Sequence, residues 1–179
     1  MNPIFLIGYM GCGKTTLGRA VGRAGGLQFI DLDCYIENRF HSTIADLFAS
    51  RGEDGFRRLE RAMLEEVASF EDTLVACGGG TPCFFDNMEL MNASGTTIWL
   101  DTPRDRILER LLRNRSRRPL LADKSDEDLR KFIDSAMDAR EPFYSRAHAR
   151  FSGLALEDRD QIAATTSEFI DRFINGIQH

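Results

Sequence analysis

Short apolar segments recur along the chain, and stretches with helical periodicity separate them. The segments predict buried strands and comprise residues 4–7, 27–30, 73–76, 96–100 and 149–151. Between them, apolar residues recur at intervals of three and four, which is the spacing of one face of a helix. Because parallel strands need crossover connections, this alternation predicts an α/β fold with three layers and a parallel sheet.

The predicted helices begin and end at recognisable signals. They comprise residues 14–24, 34–40, 44–51, 56–67, a helix from 103 to about 110, one from 125 to about 147 and one from about 160 to 174. Gly52 is expected to end the third of these, since glycine is common just past a helix. Pro142 interrupts the hydrogen-bond ladder of the long helix and predicts a kink there.

The first strand runs directly into the spacing G-x-x-x-x-G-K-T at residues 8–15, the Walker A pattern, and a helix is predicted to follow it. Glycines let backbone N–H groups wrap around a phosphate chain, and the Lys14 ammonium adds positive charge. The Thr15 hydroxyl can hold Mg²⁺, and the helix dipole favours an anion at the helix N-terminus. The pattern predicts a nucleotide-phosphate site that comprises Gly11, Cys12, Gly13, Lys14, Thr15 and Thr16.

Two carboxylates follow the second predicted strand. Side chains alternate along a strand, so Asp31 and Asp33 are expected on the same side, where open parallel sheets bind their ligands. This arrangement suits one acid associated with a metal and one that orients a hydroxyl nucleophile. The alternative is that Asp33 caps the next helix and Asp31 is solvated.

Arg57 and Arg58 stand at the N-terminus of the helix predicted from residue 56, where the dipole disfavours cations. An anionic partner explains such an arginine better than helix stability does. The alternative is a solvated arginine paired with Glu53 or Glu60, and for Arg58 alone this alternative is preferred.

Gly78, Gly79 and Gly80 follow the third predicted strand directly. Consecutive glycines weaken any regular element, so they indicate a place where the backbone approaches a ligand closely. A loose turn is the alternative, but it is less expected immediately after a buried strand.

Four arginines fall between Arg113 and Arg118 and would repel one another in the absence of an anion. The segment lies between two predicted helices and ends near a proline, so residues 113–125 predict a mobile lid over phosphates. A solvated basic loop is the alternative.

The composition is that of a soluble globular protein, and the 179 residues fit a single domain over 1–179. A net charge of −5 argues against a general nucleic-acid binder, which needs a basic surface. No apolar run approaches the ~20 residues of a membrane span, and no basic leader precedes the first strand, so we expect a cytoplasmic protein. The four cysteines form no C-x-x-C pair, which argues against a zinc site.

Taken together, these motifs resemble those of the shikimate kinases. The matching patterns are G-x-M-G-x-G-K-T at 8–15, D-x-D at 31–33, F-R-x-x-E at 56–60, G-G-G at 78–80, R-P-L-L at 118–121 and R-x-P-x-Y at 140–144. The resemblance implies a P-loop kinase fold with a five-stranded parallel sheet in the order 2-3-1-4-5 and a mobile lid, in a monomer. It also implies phosphorylation of the 3-hydroxyl of shikimate by ATP with Mg²⁺, in the route to chorismate and aromatic amino acids.

The resemblance implies roles for residues on the phosphate side. Lys14 and Arg118 would neutralise charge on the transferring phosphoryl group, and Arg118 would contact the nucleotide. Thr15 would hold Mg²⁺, together with Asp31 through water.

On the acceptor side, the resemblance implies that residues 33–62 form a helical shikimate-binding region. Asp33 would bind the hydroxyls of shikimate and orient or deprotonate the attacking one, while Arg57 and Arg140 would hold its carboxylate. Gly78 would shape the turn that follows the third strand. The backbone amides of Gly79 and Gly80 would approach the ring of shikimate.

Other assignments stay open at this point. One alternative is a related kinase, such as a gluconate or nucleoside-monophosphate kinase, which would share the phosphate loop at residues 8–15. A nucleotide-binding module without an acceptor substrate is a further alternative. Arg110 is a candidate for stacking on adenine, or else an exposed helix arginine. Cys77 stands where the family often has a small hydroxyl residue, so a polar contact from that position is in doubt.

Overall fold

The computed structural model describes residues 1–114 and 125–177. Five parallel strands form one sheet in the order β2-β3-β1-β4-β5. The strands are β1 (Ile4–Ile7), β2 (Gln28–Asp31), β3 (Thr73–Ala76), β4 (Thr96–Asp101) and β5 (Ala149–Ser152). The predicted α/β fold and the predicted strand order are both confirmed.

Helices connect the strands throughout the described residues. They are α1 (Lys14–Gly25), α2 (Leu32–Phe40), α3 (Ile44–Val67), α4 (Asn87–Ser94), α5 (Arg104–Arg113), α6 (Asp126–Tyr144) and α7 (Arg159–Phe173). A short 3₁₀ turn at Thr81–Cys83 follows the three glycines. Within 1–114 and 125–177, no helix combines the length and the apolar character needed to cross a membrane.

Strand β1 lies at the centre of the sheet, and Ile4 pairs with Leu74 of β3 on one side and Thr96 of β4 on the other. All four side chains of β1 are buried. Because consecutive side chains of a strand point to opposite faces, both faces of the sheet are covered at this strand. The phosphate loop therefore starts at the middle of the carboxyl edge of the sheet, where α/β proteins bind ligands.

The segment after β2 differs from the prediction. Strand β2 ends at Asp31 and α2 begins at Leu32, so Asp33 lies in the first turn of a helix rather than in a strand. Strand alternation therefore does not explain where Asp33 points. Both carboxylates nevertheless line the same cavity, because α2 begins at the carboxyl edge of the sheet.

Gly52, with φ 68° and ψ 177°, interrupts the helical backbone of α3 as predicted, and a second helical segment follows it directly across a kink. Two further elements differ from the prediction. Helix α4 was not predicted at all. Helix α6 runs through Pro142 and ends at Tyr144, so almost no helix remains beyond the proline for a kink to bend.

Candidate active site

A cavity of about 420 Å³ opens at the carboxyl edge of the sheet, beside the phosphate loop. It brings together most of the residues predicted for the site. Those that line it are Gly11, Gly13, Lys14, Thr15, Thr16, Asp31, Asp33, Gly78 and Gly79. Cys12 is buried within the loop, and Gly80, Arg57 and Arg140 lie outside the lining of this cavity.

The phosphate loop has the backbone that its glycines permit. Gly8, Gly11 and Gly13 have φ values of 145°, 79° and 106°, which L-residues with side chains rarely adopt. A Cβ atom at Gly13 would also lie 2.5 Å from Leu156 Cδ1. The Lys14 ammonium donates to the Gly8 carbonyl at 2.6 Å and to the Tyr9 carbonyl at 3.1 Å, so it is held over the loop.

Two side chains from outside the loop hold its carbonyl groups, and neither was predicted to do so. The Thr102 hydroxyl donates to the Cys12 carbonyl at 3.0 Å. Arg110 Nη1 donates to the carbonyls of Gly11, at 3.2 Å, and Cys12, at 3.1 Å. These bonds fix the orientation of the Gly11 and Cys12 carbonyl groups and thereby support the backbone of the loop.

Arg110 also reaches the segment between β5 and α7. Its Nη2 donates to the carbonyls of Gly153 and Leu154 at 2.9 and 3.2 Å, and its Nε donates to Glu157 at 2.7 Å. The side chain is only 12% exposed, so the alternative of an exposed helix arginine is wrong. Stacking on adenine stays a prediction.

Asp31 joins the phosphate loop to the second strand. The Thr15 hydroxyl donates to Asp31 Oδ2 at 2.9 Å, and Asp31 Oδ1 accepts from the Cys34 N–H as the N-cap of α2. The alternative in which Asp33 caps this helix is therefore wrong.

Asp33 is the most strongly perturbed carboxylate beside the cavity. Burial raises its pKa to about 6, the charges of Asp31 and Glu60 add to the rise, and Lys14 opposes it. Gly78 packs against this group, since a Cβ atom there would lie 3.0 Å from Asp33 Oδ1. A carboxyl group with a pKa close to neutrality can exchange a proton with a hydroxyl that it contacts.

Arg57 is largely buried, with 12% of its side chain exposed. Its Nη1 donates to Glu60 Oε2 at 3.0 Å, and Glu60 is only 1% exposed. The other oxygen of Glu60 accepts from the Thr81 hydroxyl at 2.6 Å. Arg58 is exposed. The alternative for Arg57 named Glu60 as a partner, and this pairing is present, but the arginine is buried rather than solvated.

The turn at residues 78–80, called the glycine turn below, lies against Arg57 and Arg140, the two arginines that were predicted to bind a carboxylate. A Cβ atom at Gly79 would lie 3.0 Å from Arg140 Nη1, and one at Gly80 would lie 2.7 Å from Arg57 Nη2. Burial raises the pKa of the Cys83 thiol, and the charges of Arg140 and Arg57 both oppose this rise. The two guanidinium groups therefore face the same turn at the edge of the cavity.

Two buried groups support this turn. The Tyr144 hydroxyl donates to the Gly79 carbonyl at 2.6 Å. Cys77 is buried, its sulfur lies 3.7 Å from Met91 Sδ, and burial raises the pKa of its thiol. Cys77 therefore packs as an apolar residue at this position.

Arg118 and nearly all of the predicted lid at 113–125 lie outside the described residues. Arg113, at the end of α5, is described and donates to Glu157 at 2.7 Å. Burial opposes ionisation of Glu157, but hydrogen bonds from Arg110 and Arg113 lower its pKa overall.

Comparison with known proteins agrees with this geometry. The family model for shikimate kinase matches residues 10–171. A shikimate kinase of Phocaeicola vulgatus is 58% identical over 92% of this chain and 94% of its own. The crystal structure of shikimate kinase from Bacteroides thetaiotaomicron superposes with a TM-score of 0.93 at 49% identity, over 96% of this chain and 97% of that one. Shikimate kinase from Acinetobacter baumannii in complex with shikimate gives 0.84 at 28% identity, over 100% and 96%. The predicted family is thereby confirmed, and this chain belongs to the shikimate kinase family.

Proposed function

We propose that this protein transfers the γ-phosphoryl group of ATP to the 3-hydroxyl of shikimate, which gives shikimate 3-phosphate and ADP. The observation that carries this proposal is the position of Asp33, whose carboxyl group lines the same cavity as the phosphate loop. The acceptor oxygen forms a bond to the γ-phosphorus while the bond to the β–γ bridging oxygen breaks. Asp33 orients the hydroxyl and accepts its proton.

On the phosphate side, the N–H groups of the loop and the Lys14 ammonium bind the phosphates of ATP. The ammonium already lies over the loop, so little reorganisation is needed when charge develops on the phosphoryl group. We assign the same task to Arg118, which the resemblance implies. These groups position ATP and stabilise the charge of the transition state.

The oxygen atoms beside Lys14 fit Mg²⁺. Thr15 Oγ1 and Asp31 Oδ2 lie 2.9 Å apart beside the cavity, and both residues line it. Sites for Mg²⁺ in kinases combine one or two such protein oxygens with water and substrate phosphates. We assign Thr15 as a direct ligand and Asp31 as a ligand through water. When bound there, Mg²⁺ neutralises phosphate charge.

On the acceptor side, Arg57 and Arg140 bind the carboxylate of shikimate. A guanidinium group matches a carboxylate with two parallel hydrogen bonds, and both groups lie against the glycine turn. Gly79 and Gly80 let the backbone approach the ring of shikimate, while Gly78 leaves space for Asp33. In this proposal the two arginines bind the carboxylate of shikimate while Asp33 binds its hydroxyl.

We further propose that the enzyme is a cytoplasmic monomer with one domain over residues 1–179. All five strands of the described residues belong to one sheet, which supports a single domain, and the proposed substrate is a small soluble metabolite. We assign residues 33–62, which lie largely on α2 and α3, as the shikimate-binding region.

The direct test is a coupled assay of ADP release with ATP and Mg²⁺. The acceptors to compare are shikimate, gluconate, AMP and none, with the Asp33→Asn variant as a control for contaminating kinases. We expect strong stimulation by shikimate alone. Stimulation by gluconate or AMP without any by shikimate would overturn the proposed acceptor, and ADP release that needs no acceptor would overturn the transfer itself.

A further inference from the structure

The guanidinium group of Arg57 is surrounded by aromatic rings as well as by Glu60. Its Cζ atom lies 4.0 Å from the ring centroid of Phe84, 5.3 Å from that of Phe56 and 5.6 Å from that of Phe48. Phe84 is the nearest of the three by more than 1 Å, within the range of a strong cation–π contact. The ring of Phe84 therefore restricts the plane in which the guanidinium can lie.

The hydrogen bonds of Arg57 leave one edge of the guanidinium without a close partner. Nη1 is bound to Glu60 at 3.0 Å, whereas the buried Nε has no hydrogen-bond partner among the described residues. Nη2 has only a distant ion pair, 3.8 Å from the exposed Glu53. Nε and Nη2 point the same way, and together they form the edge that a carboxylate binds with two hydrogen bonds.

The backbone of Phe84 is fixed to the helix that carries Arg57. The Thr81 hydroxyl bonds to Glu60 of α3 at 2.6 Å, and the Thr81 carbonyl accepts from Asn87 Nδ2 at 2.7 Å. Asn87 in turn accepts from Arg61 of α3 at 2.9 Å. The residues on both sides of Phe84 are thus tied to α3, so its ring keeps its place relative to the guanidinium.

We propose that Phe84 is a positioning residue for the acceptor, because its ring holds the Arg57 guanidinium in the plane in which the unpaired Nε–Nη2 edge binds the carboxylate. This inference rests on the proposed function, since it requires shikimate to be the acceptor. An arginine side chain has many rotamers, and a fixed plane lowers the entropy lost when the carboxylate binds. Phe84 acts through Arg57 and needs no contact with the reacting hydroxyl.

The test compares Phe84→Leu, Phe84→Tyr and the neighbouring Phe85→Leu by steady-state kinetics. Leucine keeps the apolar bulk and removes the π face, tyrosine keeps the face, and Phe85 is 59% exposed. We expect Phe84→Leu to lower kcat/KM for shikimate about 3- to 30-fold, the range of a cation–π contact. We expect kcat and KM for ATP to stay unchanged, with Phe84→Tyr and Phe85→Leu close to wild type.

A second measurement asks whether the effect passes through Arg57. In an Arg57→Ala background, Phe84→Leu should cause no further loss of kcat/KM, a ratio that can be measured without saturation. An equal loss in both backgrounds would overturn the inference, and so would a wild-type value for Phe84→Leu. A Phe84→Tyr variant as poor as Phe84→Leu, or a parallel change in KM for ATP, would also overturn it. If the wild type fails to use shikimate, the proposed function itself is wrong.

Discussion

At the scale of single residues, Asp33 is the group on which the proposed chemistry depends most directly. We expect Asp33→Asn to lower turnover by about 10²–10⁴, the usual contribution of a positioned acid or base. Binding of ATP should stay close to wild type, because Asp33 belongs to the acceptor side. Single-turnover kinetics and calorimetric titration of ATP separate the two effects, and near-normal turnover would contradict the assigned role.

The same substitution should stabilise the protein near neutral pH. Burial raises the pKa of Asp33 from 3.8 to about 6 in the folded state. Between these values the folded state binds more protons than the unfolded state, so wild-type stability falls as pH rises through this window. Asn carries no charge, so the variant should gain about 1–3 kcal/mol above pH 7, roughly 2–10 °C in Tm.

This gain should vanish near pH 4, where the carboxyl group is protonated in the folded state. Thermal unfolding between pH 4 and 8, without nucleotide or divalent cation, measures it. Asp54→Asn, which removes an exposed carboxylate of α3, is the matched control. A variant less stable than wild type at pH 8 would contradict the raised pKa.

Arg57 and Arg58 are neighbours in sequence with different surroundings. Arg57 is 12% exposed and hydrogen-bonded to Glu60, whereas Arg58 is exposed. We expect Arg57→Ala to weaken shikimate binding by about 2–3 kcal/mol, roughly 30- to 150-fold, because it removes charged hydrogen bonds.

Equilibrium titration with shikimate checks this prediction, and Arg58→Ala should bind like wild type. Because Glu60 loses a partner, the melting temperature of Arg57→Ala should also fall. Equal affinities of the two variants would argue against a carboxylate site at Arg57.

At the scale of elements, Arg110 joins α5 to the phosphate loop and to the segment before α7. It donates to carbonyls of both segments, and it also bonds to Glu157 at 2.7 Å. We expect Arg110→Met to raise KM for ATP about tenfold or more, since several hydrogen bonds to the loop are lost together.

KM for shikimate should stay unchanged in this variant, because the hydrogen bonds of Arg110 go to the phosphate loop and to the segment before α7 and not to the acceptor residues. The matched control is Arg106→Met on the same helix, whose side chain bonds to Glu109 of α5 itself. A rise in both Michaelis constants would show a general loss of structure and contradict the specific role of Arg110.

Sequence patterns predicted the strands and the phosphate loop because their signals are local. Strands buried on both faces are continuous apolar runs, and the Walker A spacing is contained in eight residues. Helix α4 was missed because it has only eight residues, no side-chain N-cap bond and a single buried methionine pair, Met88 and Met91. The position of Asp33 was predicted for the wrong reason, since a helix and not a strand presents it.

The parts of the site that sequence did not predict depend on distant contacts. Arg110 bonds to carbonyl groups 43 to 99 residues away along the chain. Backbone carbonyls carry no sequence signal, so no pattern could identify them as partners. By contrast, Arg57 and Glu60 are three residues apart on one helix face, and this local spacing is why Glu60 could be named as a candidate partner from the sequence.

At the scale of the whole molecule, the proposed site is built within one chain. The large exposed hydrophobic side chains of the described residues are Met1, Phe85, Phe132 and Leu154, which lie at the N-terminus, after the 3₁₀ turn, in α6 and after β5. A stable dimer commonly buries about 800 Å² on each partner, with an apolar centre. Four such side chains on separate segments are a weak basis for an interface of that size.

We therefore expect the protein to be a monomer of 20.2 kDa in solution across a wide range of concentration. Multi-angle light scattering after gel filtration measures the mass directly, with and without ATP, Mg²⁺ and shikimate. The ligands should leave the mass unchanged, because the acceptor and nucleotide groups come from the same chain. A mass of about twice this value, or one that rises with concentration, would contradict the monomer.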